Sequence, residues 1–331
     1  MSKSLFVQIN GGTGKNVSFT HVVPELKKEY DYIAVCSPYV DIFECCKDID
    51  SVYNPNEIRD FIFDAKAKNA NIVIDRMYDT SDFIYKKINY YDAWLKMCGL
   101  ESTNVTTGSK GNTTLDTTKY GLKQKADDIL KQIKDKGFED FVIMQFSGGQ
   151  SPLVQVPVKE VKDEKGNVQK VPAWDQVPYN PANGLSRNYP VEKAQEFISL
   201  FAKDHPKTAI ILYMLPNEYP QLQGVFRTVV PYLTYYELGK LPECSGVVTI
   251  DSSLQHILAG ITKTVVLWAQ SEPVAFGYEF NKNIIQDCRR DDILYFSQLG
   301  PSGAKVSYIK PEDLLKEVND YLFTNTVTPK N

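Results

Sequence analysis

Residues 246–268 read GVVTIDSSLQHILAGITKTVVLW, and their reading decides the fold. The runs Val247–Ile250 and Thr264–Trp268 are β-branched and almost wholly apolar, as in strands buried on both faces. Between them Leu254, Ile257, Leu258 and Ile261 recur at helical spacing. Asp251-Ser252-Ser253 supplies the polar residues with which helices start. Strand, helix and strand in so short a stretch predict a right-handed βαβ unit and a parallel sheet.

The same alternation extends in both directions. SLFVQI, YDYIAVCS, NIVID, DFVIMQF and TAIILYML read as further buried strands. VSFTHVVPELKKEY, SDFIYKKINYYDAWLKMCG, LKQKADDILKQIKDKG and PVEKAQEFISLFAKD read as amphipathic helices between them. The result is an α/β protein with parallel sheets and helices on both faces. With 331 residues the chain has enough length for two domains. A Thr- and Gly-rich stretch before residue 121 suggests a division near Gly137, giving units 1–137 and 138–310 and a terminal helix within 311–331. Inside the second unit, residues 151–183 form an insertion. Two Val-rich runs around Asp163-Glu164-Lys165-Gly166-Asn167 predict a β-hairpin, either a surface ornament or a flap beside the acceptor.

Composition excludes several classes. Hydrophobic residues make up 43% and charged residues 24%, and the formal net charge is −4, so no global field draws nucleic acid. No window resembles a membrane span or a cleaved leader, and the six cysteines show neither metal-ligand spacing nor a disulfide scaffold. A cytoplasmic location is the expectation.

Three local features carry chemistry. Asn10-Gly11-Gly12-Thr13-Gly14-Lys15-Asn16 lies between a strand and a helix. It is not a Walker A loop, because Ile9 and Asn16 replace the required Gly and Ser/Thr, and Val17 breaks a dinucleotide fingerprint. Its glycines either make a tight turn or let amides face a ligand. Asp251-Ser252-Ser253 either caps its helix or presents amides to phosphate, and His256 one turn on is either packed or a ligand. Arg187 precedes Pro190 at a helix start, as a surface residue or as a fork bridging two phosphates.

Together these features resemble the ADP-heptose:lipopolysaccharide heptosyltransferase-like glycosyltransferases, in a divergent phage-type form. Ile250-Asp251-Ser252-Ser253-Leu254-Gln255-His256, then AGITKTVVLW and SEPVAFGY, matches the motif of the family's second domain. Arg187-Asn188-Tyr189-Pro190 matches its basic residue before a helix start, and GGTGKNVSFTHVVPELKK its N-terminal loop. The resemblance implies a GT-B fold: two Rossmann-like domains facing across a cleft, with the last helix crossing back to the first. It implies transfer of a sugar, with inversion, from a nucleotide-diphosphate donor held by Gly12, Gly14, Arg187, Asp251, Ser252, Ser253 and His256. No metal or other cofactor is implied, so Asp48-Ile49-Asp50 reads as a solvated turn. The acceptor would be a glycan or a hydroxylated phage DNA base, the latter served by Lys86, Lys87 and Lys96.

The pattern breaks at one place. The aspartate that the family places after the loop glycine, a candidate base, is Lys15 here. Lys15 could serve as the base only with a strongly lowered pKa, so either another carboxylate such as Asp41 or Glu44 serves, or Lys15 binds donor phosphate and the acceptor is different. A non-catalytic sugar-nucleotide binder and an epimerase of the same fold are the alternatives.

Overall fold

In the computed structural model, which describes residues 3–77, 80, 82, 88–101, 111–148, 157–162, 168–173, 187–269, 271–288 and 306–324, the apolar runs pair into two parallel sheets. The first contains β1 (Ser4–Gln8), β2 (Tyr32–Cys36), β3 (Ser51–Tyr53) and β4 (Asn71–Ile74) in the order β3-β2-β1-β4. The second contains β5 (Asp140–Met144), β8 (Thr208–Leu212), β9 (Phe226–Arg227), β10 (Cys244–Ile250), β11 (Thr264–Trp268) and β12 (Lys282–Ile285) in the order β12-β11-β10-β5-β8-β9. The strands missing from the sequence reading are β3, β9 and β12, short edge strands with too few apolar residues to stand out. The insertion holds β6 (Val158–Lys162) and β7 (Val168–Pro172), paired antiparallel as the hairpin reading requires. The proposed turn at 163–167 lies outside the described residues.

Strand order reverses between β1 and β4 in one sheet and between β5 and β10 in the other. At such switch points the connections diverge to opposite faces and leave a crevice outside the carboxyl ends. The glycine loop and the Asp-Ser-Ser turn each sit at one of them.

The first predicted helix is divided into α1 (Thr13–Thr20) and α2 (Val23–Glu29). Pro24 donates no hydrogen bond and restricts its predecessor, so it sits in the first turn of a new helix. Next come α3 (Val40–Glu44) and α4 (Ile58–Ala67), the latter covering the opposite face of the sheet through Phe61 against Phe6. The helix expected from residue 81 is seen as α5 (Tyr90–Met97), where the Asn89 side chain accepts from the Asp92 amide at 3.2 Å. Lys86 and Lys87 lie outside the described residues, and Lys96 forms an exposed ion pair with Asp82.

Helix α6 (Leu122–Asp135) packs on β5 and on α8 (Thr234–Gly239), burying Leu122, Ala126, Ile129 and Ile133. These four residues lie in the core cluster that runs from the first half into the second. The terminal helix α10 (Pro311–Val318) is continued through Asn319–Phe323. Its apolar stripe, Leu314, Val318 and Leu322, joins Phe197 and Phe201 of α7 (Val191–Asp204) in the core of the second. Gly246, at φ +150°, leaves room there, because a Cβ would stand 2.6 Å from Leu322 Cδ2. Another core cluster is continuous from Leu5 and Trp94 to Phe141 and Ile257, so the two halves share apolar packing. No helix of the described residues is long and apolar enough to cross a membrane.

Because Leu314 is fully buried, Leu314→Ala should lower unfolding free energy by about 2–5 kcal/mol in urea titrations. An effect below about 0.5 kcal/mol, the level of a surface change, would contradict this docking.

Candidate functional site

The two switch points meet at α1 and α9 (Ser253–Ile257). A Cβ on Gly14 would lie 2.6 Å from His256 Cδ2 and 3.3 Å from Ser253 Cα. Gly14 is thus required for helix–helix approach, and the ligand-facing role expected of it passes to its neighbours. Gly11 has φ +99°, the left-handed region that favours glycine, and a Cβ on Gly12 would meet nothing within 4 Å.

On the second sheet, Gly148 follows β5 and Ser252 follows β10. They approach so closely that a Cβ on Gly148 would be 2.8 Å from Ser252 Oγ. Gln145 Nε2 donates to Ser252 Oγ and to the Ser147 carbonyl, both at 3.0 Å, and the Gly148 amide donates to Asn188 Oδ1 at 3.0 Å. The Asp251 carboxylate is buried and accepts from Gln255 Nε2 at 2.7 Å and from the Ser271 hydroxyl. Burial pushes its pKa up, and the nearby Arg187 guanidinium and these two donors pull against that rise. Ser252 occupies the N-cap position of α9 and makes no side-chain capping bond, while the Asp251 carboxylate is engaged by Gln255 and Ser271. Ser253 Oγ is bonded to Tyr213 OH at 3.0 Å.

His256 is buried. Its Nδ1 meets Tyr278 OH at 2.6 Å, and its ring edge packs on Gly14. Thr113 Oγ1 donates to the His256 carbonyl at 2.5 Å and bonds His21 Nε2 at 2.9 Å. Burial lowers both histidines to about 3, so each is neutral. This enclosed cluster joins the halves; it offers no cation to a phosphate.

Lys15 is also committed. It is buried in an ion pair with Asp75, at the end of β4, and its Nζ lies 6.0 Å from the Trp94 ring centroid. Asp75 also accepts from the amides of Asn10 at 3.3 Å and Met77 at 3.2 Å. The Lys15 ammonium is thus engaged within the first half. Glu44 is exposed, pairs with Lys119 at 2.8 Å and accepts from Tyr120 OH; these two bonds hold its pKa below the usual range, a poor setting for a base. Asp41 differs from both. It is half-buried and accepts from Tyr232 OH at 2.5 Å, a bond across the two halves. Asp50 ties α2 to β2, accepting from Lys27 at 2.6 Å and the Ile33 amide at 2.7 Å, so it is a structural residue and more than a solvated turn. Among the described residues, no group of three or more His, Cys, Asp or Glu could hold a metal ion.

No protein-family model matches the chain, and no curated protein matches it in sequence. Solved structures do match. The glycosyl transferase family 9 protein from Veillonella parvula superimposes with a TM-score of 0.64 at 14% identity, over 97% of this chain and 98% of that one. E. coli ADP-heptose lps heptosyltransferase II gives 0.59 at 12% identity, over 97% and 98%. E. coli heptosyltransferase WaaC, solved with ADP, gives 0.51 at 8% identity, over 96% and 99%. The fold is GT-B.

Within this GT-B frame, several site residues escaped the sequence reading. Asp75 ends the strand NIVID and could have been suspected from that position alone. Gln145, Gly148, Asn188, Tyr213, Tyr232 and Tyr278 had no local signal, because each acquires meaning from a partner distant in sequence. Glu218 is another. It is buried in the loop after β8, its Oε2 accepts from the Leu215 amide at 3.0 Å, and burial pushes its carboxyl up to about 7.

The buried ion pair and the buried neutral histidines each set an expected outcome. Lys15→Met should cost about 3–5 kcal/mol by stranding Asp75, while Lys15→Met/Asp75→Asn recovers most of the loss in a double-mutant urea cycle. For His21 and His256 the folded pKa lies below the unfolded one, so their neutral burial stabilises above about pH 6.5 and that stability is lost as pH falls toward 3. Stability measured from pH 7 to 4 should therefore fall less steeply in His21→Asn/His256→Asn than in the parent. Equal slopes would contradict the buried neutral cluster.

Proposed function

We propose that the protein transfers a sugar from a nucleotide-diphosphate donor to an acceptor hydroxyl, with inversion at the anomeric carbon. One observation carries this reading: the Asp251-Ser252-Ser253 turn follows β10 at the switch point of the second sheet, where the Arg187 charge acts on the Asp251 carboxylate and Gly14 of the opposite half packs against Ser253. The three structures named above are a glycosyl transferase family 9 protein and two heptosyltransferases, one of them solved with ADP.

Cleavage of the sugar–phosphate bond leaves a diphosphate whose new charge must be stabilised where it forms. Arg187 and the amides at the start of α9 supply that positive potential, with the open backbone of Gly12 bordering the same space. On the opposite side of the sugar, Asp41 removes the proton of the acceptor hydroxyl as its oxygen bonds to the anomeric carbon. The bond to the diphosphate oxygen breaks with its electron pair leaving on phosphate. Asp41 fits this task better than Lys15, which is neutralised by Asp75, or Glu44, which is tied to Lys119 and Tyr120.

Release of nucleoside diphosphate from a panel of nucleotide sugars tests the assignment. Arg187→Ala should lower kcat/KM about 10²–10³-fold. Asp41→Asn should lower kcat about 10²–10⁴-fold with donor affinity intact. Donor affinity unchanged by Arg187→Ala would refute the diphosphate site, and tight binding without turnover would assign the fold to recognition alone.

A further inference from the structure

Between Asp41 and Ser253 runs a row of tyrosines that the donor site does not use. Tyr232, bonded to Asp41, meets Tyr39 edge to face with ring centroids 6.3 Å apart. Tyr213, bonded to Ser253, meets Tyr235 edge to face at 4.7 Å. Tyr213 and Tyr39 both lie near enough to Tyr232 to raise its pKa further. Tyr39 and Tyr235 are buried and fix the row, while Tyr213 and Tyr232 stay half-buried. The first half thus contributes Asp41 and Tyr39, the second Tyr213 and Tyr232, and the row ends at the residue that opens α9.

The charges around this row are mostly acidic or already matched. Asp41 and Glu44 share α3, and Glu218 lies near Tyr213. Lys119 is paired with Glu44, and the Arg227 guanidinium donates to the carbonyls of Glu218 at 3.2 Å and of Tyr219. Among the described residues Asp41 forms no ion pair. An acceptor carrying carboxylates or phosphates would meet repulsion here, whereas the apolar C–H face of a neutral pyranose stacks on tyrosine and its hydroxyls find acceptors.

We propose that the acceptor is an uncharged sugar laid against Tyr213 and Tyr232, with the reacting hydroxyl directed to Asp41. The proposal rests on the transferase reading above and adds the class of acceptor. Tyr232 is a positioning residue, since its hydroxyl orients the Asp41 carboxylate.

Saturation-transfer NMR on the full chain tests it, with and without UDP or ADP. The probes are neutral methyl hexopyranosides, the matching uronates and sugar phosphates, and a hydroxymethylcytosine oligonucleotide. Neutral glycosides should bind at least 5-fold more tightly than their charged counterparts, a difference of about 1 kcal/mol. Tyr213→Leu should weaken them about 3–10-fold, the range expected for one aromatic contact. Tyr232→Phe should keep glycoside binding and lower kcat without raising KM. Preference of the parent protein for a charged sugar or for the oligonucleotide overturns the proposal, and this ranking needs no variant to fold. Unchanged glycoside binding in a folded Tyr213→Leu protein overturns it as well. Failure of both nucleotides to bind counts against the donor site, while the sugar ranking in the free protein still decides the acceptor class.

Discussion

The contact of Gly14 with His256 and Ser253 is the constraint on which the rest of the site depends. Each half carries its own sheet, and each sheet opens a crevice where its strand order reverses. Those crevices become one site only because the first turn of α1 can touch the first turn of α9, and only a residue without a side chain permits that. Around the contact, His21, Thr113, His256 and Tyr278 form a buried hydrogen-bonded cluster drawn from both halves and the segment between them. Gly111 and Gly260 extend the same logic, since a Cβ on either would collide with His21 or Asn112. Polar groups enclosed this way are expensive to leave unpaired, so the cluster favours a single arrangement of the halves.

Electrostatics then divides the work between the halves. The first half neutralises its lysine internally through Asp75, so the glycine loop presents backbone and little charge. In the second half the Arg187 charge acts on the buried Asp251 carboxylate. In the proposed reaction Arg187 would stand on the side of the leaving diphosphate, and the aromatic and acidic side chains around Asp41 on the side of the acceptor. That polarity suits a reaction in which negative charge develops on one side of a sugar while a proton departs on the other.

Residue patterns alone determined much of this. Apolar β-branched runs and amphipathic stretches in alternation dictate parallel sheets, because only strands covered on both faces can be so apolar. The residues that start α9, the arginine before α7 and the loop after β1 were legible because turns at strand ends need small, polar or special residues. The prediction of a hairpin in the insertion held for the same reason of period and turn chemistry. Edge strands such as β3 and β9 were invisible, since two or three half-exposed residues leave no periodic trace.

Tertiary structure decided what each of those residues does. Gly14, Lys15 and His256 look like ligand contacts in a linear reading, yet one is a packing requirement, one half of a buried ion pair, and one a neutral link between halves. Their partners, Asp75, Tyr278 and Thr113, lie far away in the chain, and nothing local announces them. The terminal helix is a similar case: its apolar stripe guarantees burial, but the stripe is the same whichever sheet receives it. Only the shape of the core around Phe197, Phe201 and Gly246 selects the second. Sequence specifies which surfaces must be hidden and which turns must be tight; the choice of partner is made by distance in three dimensions.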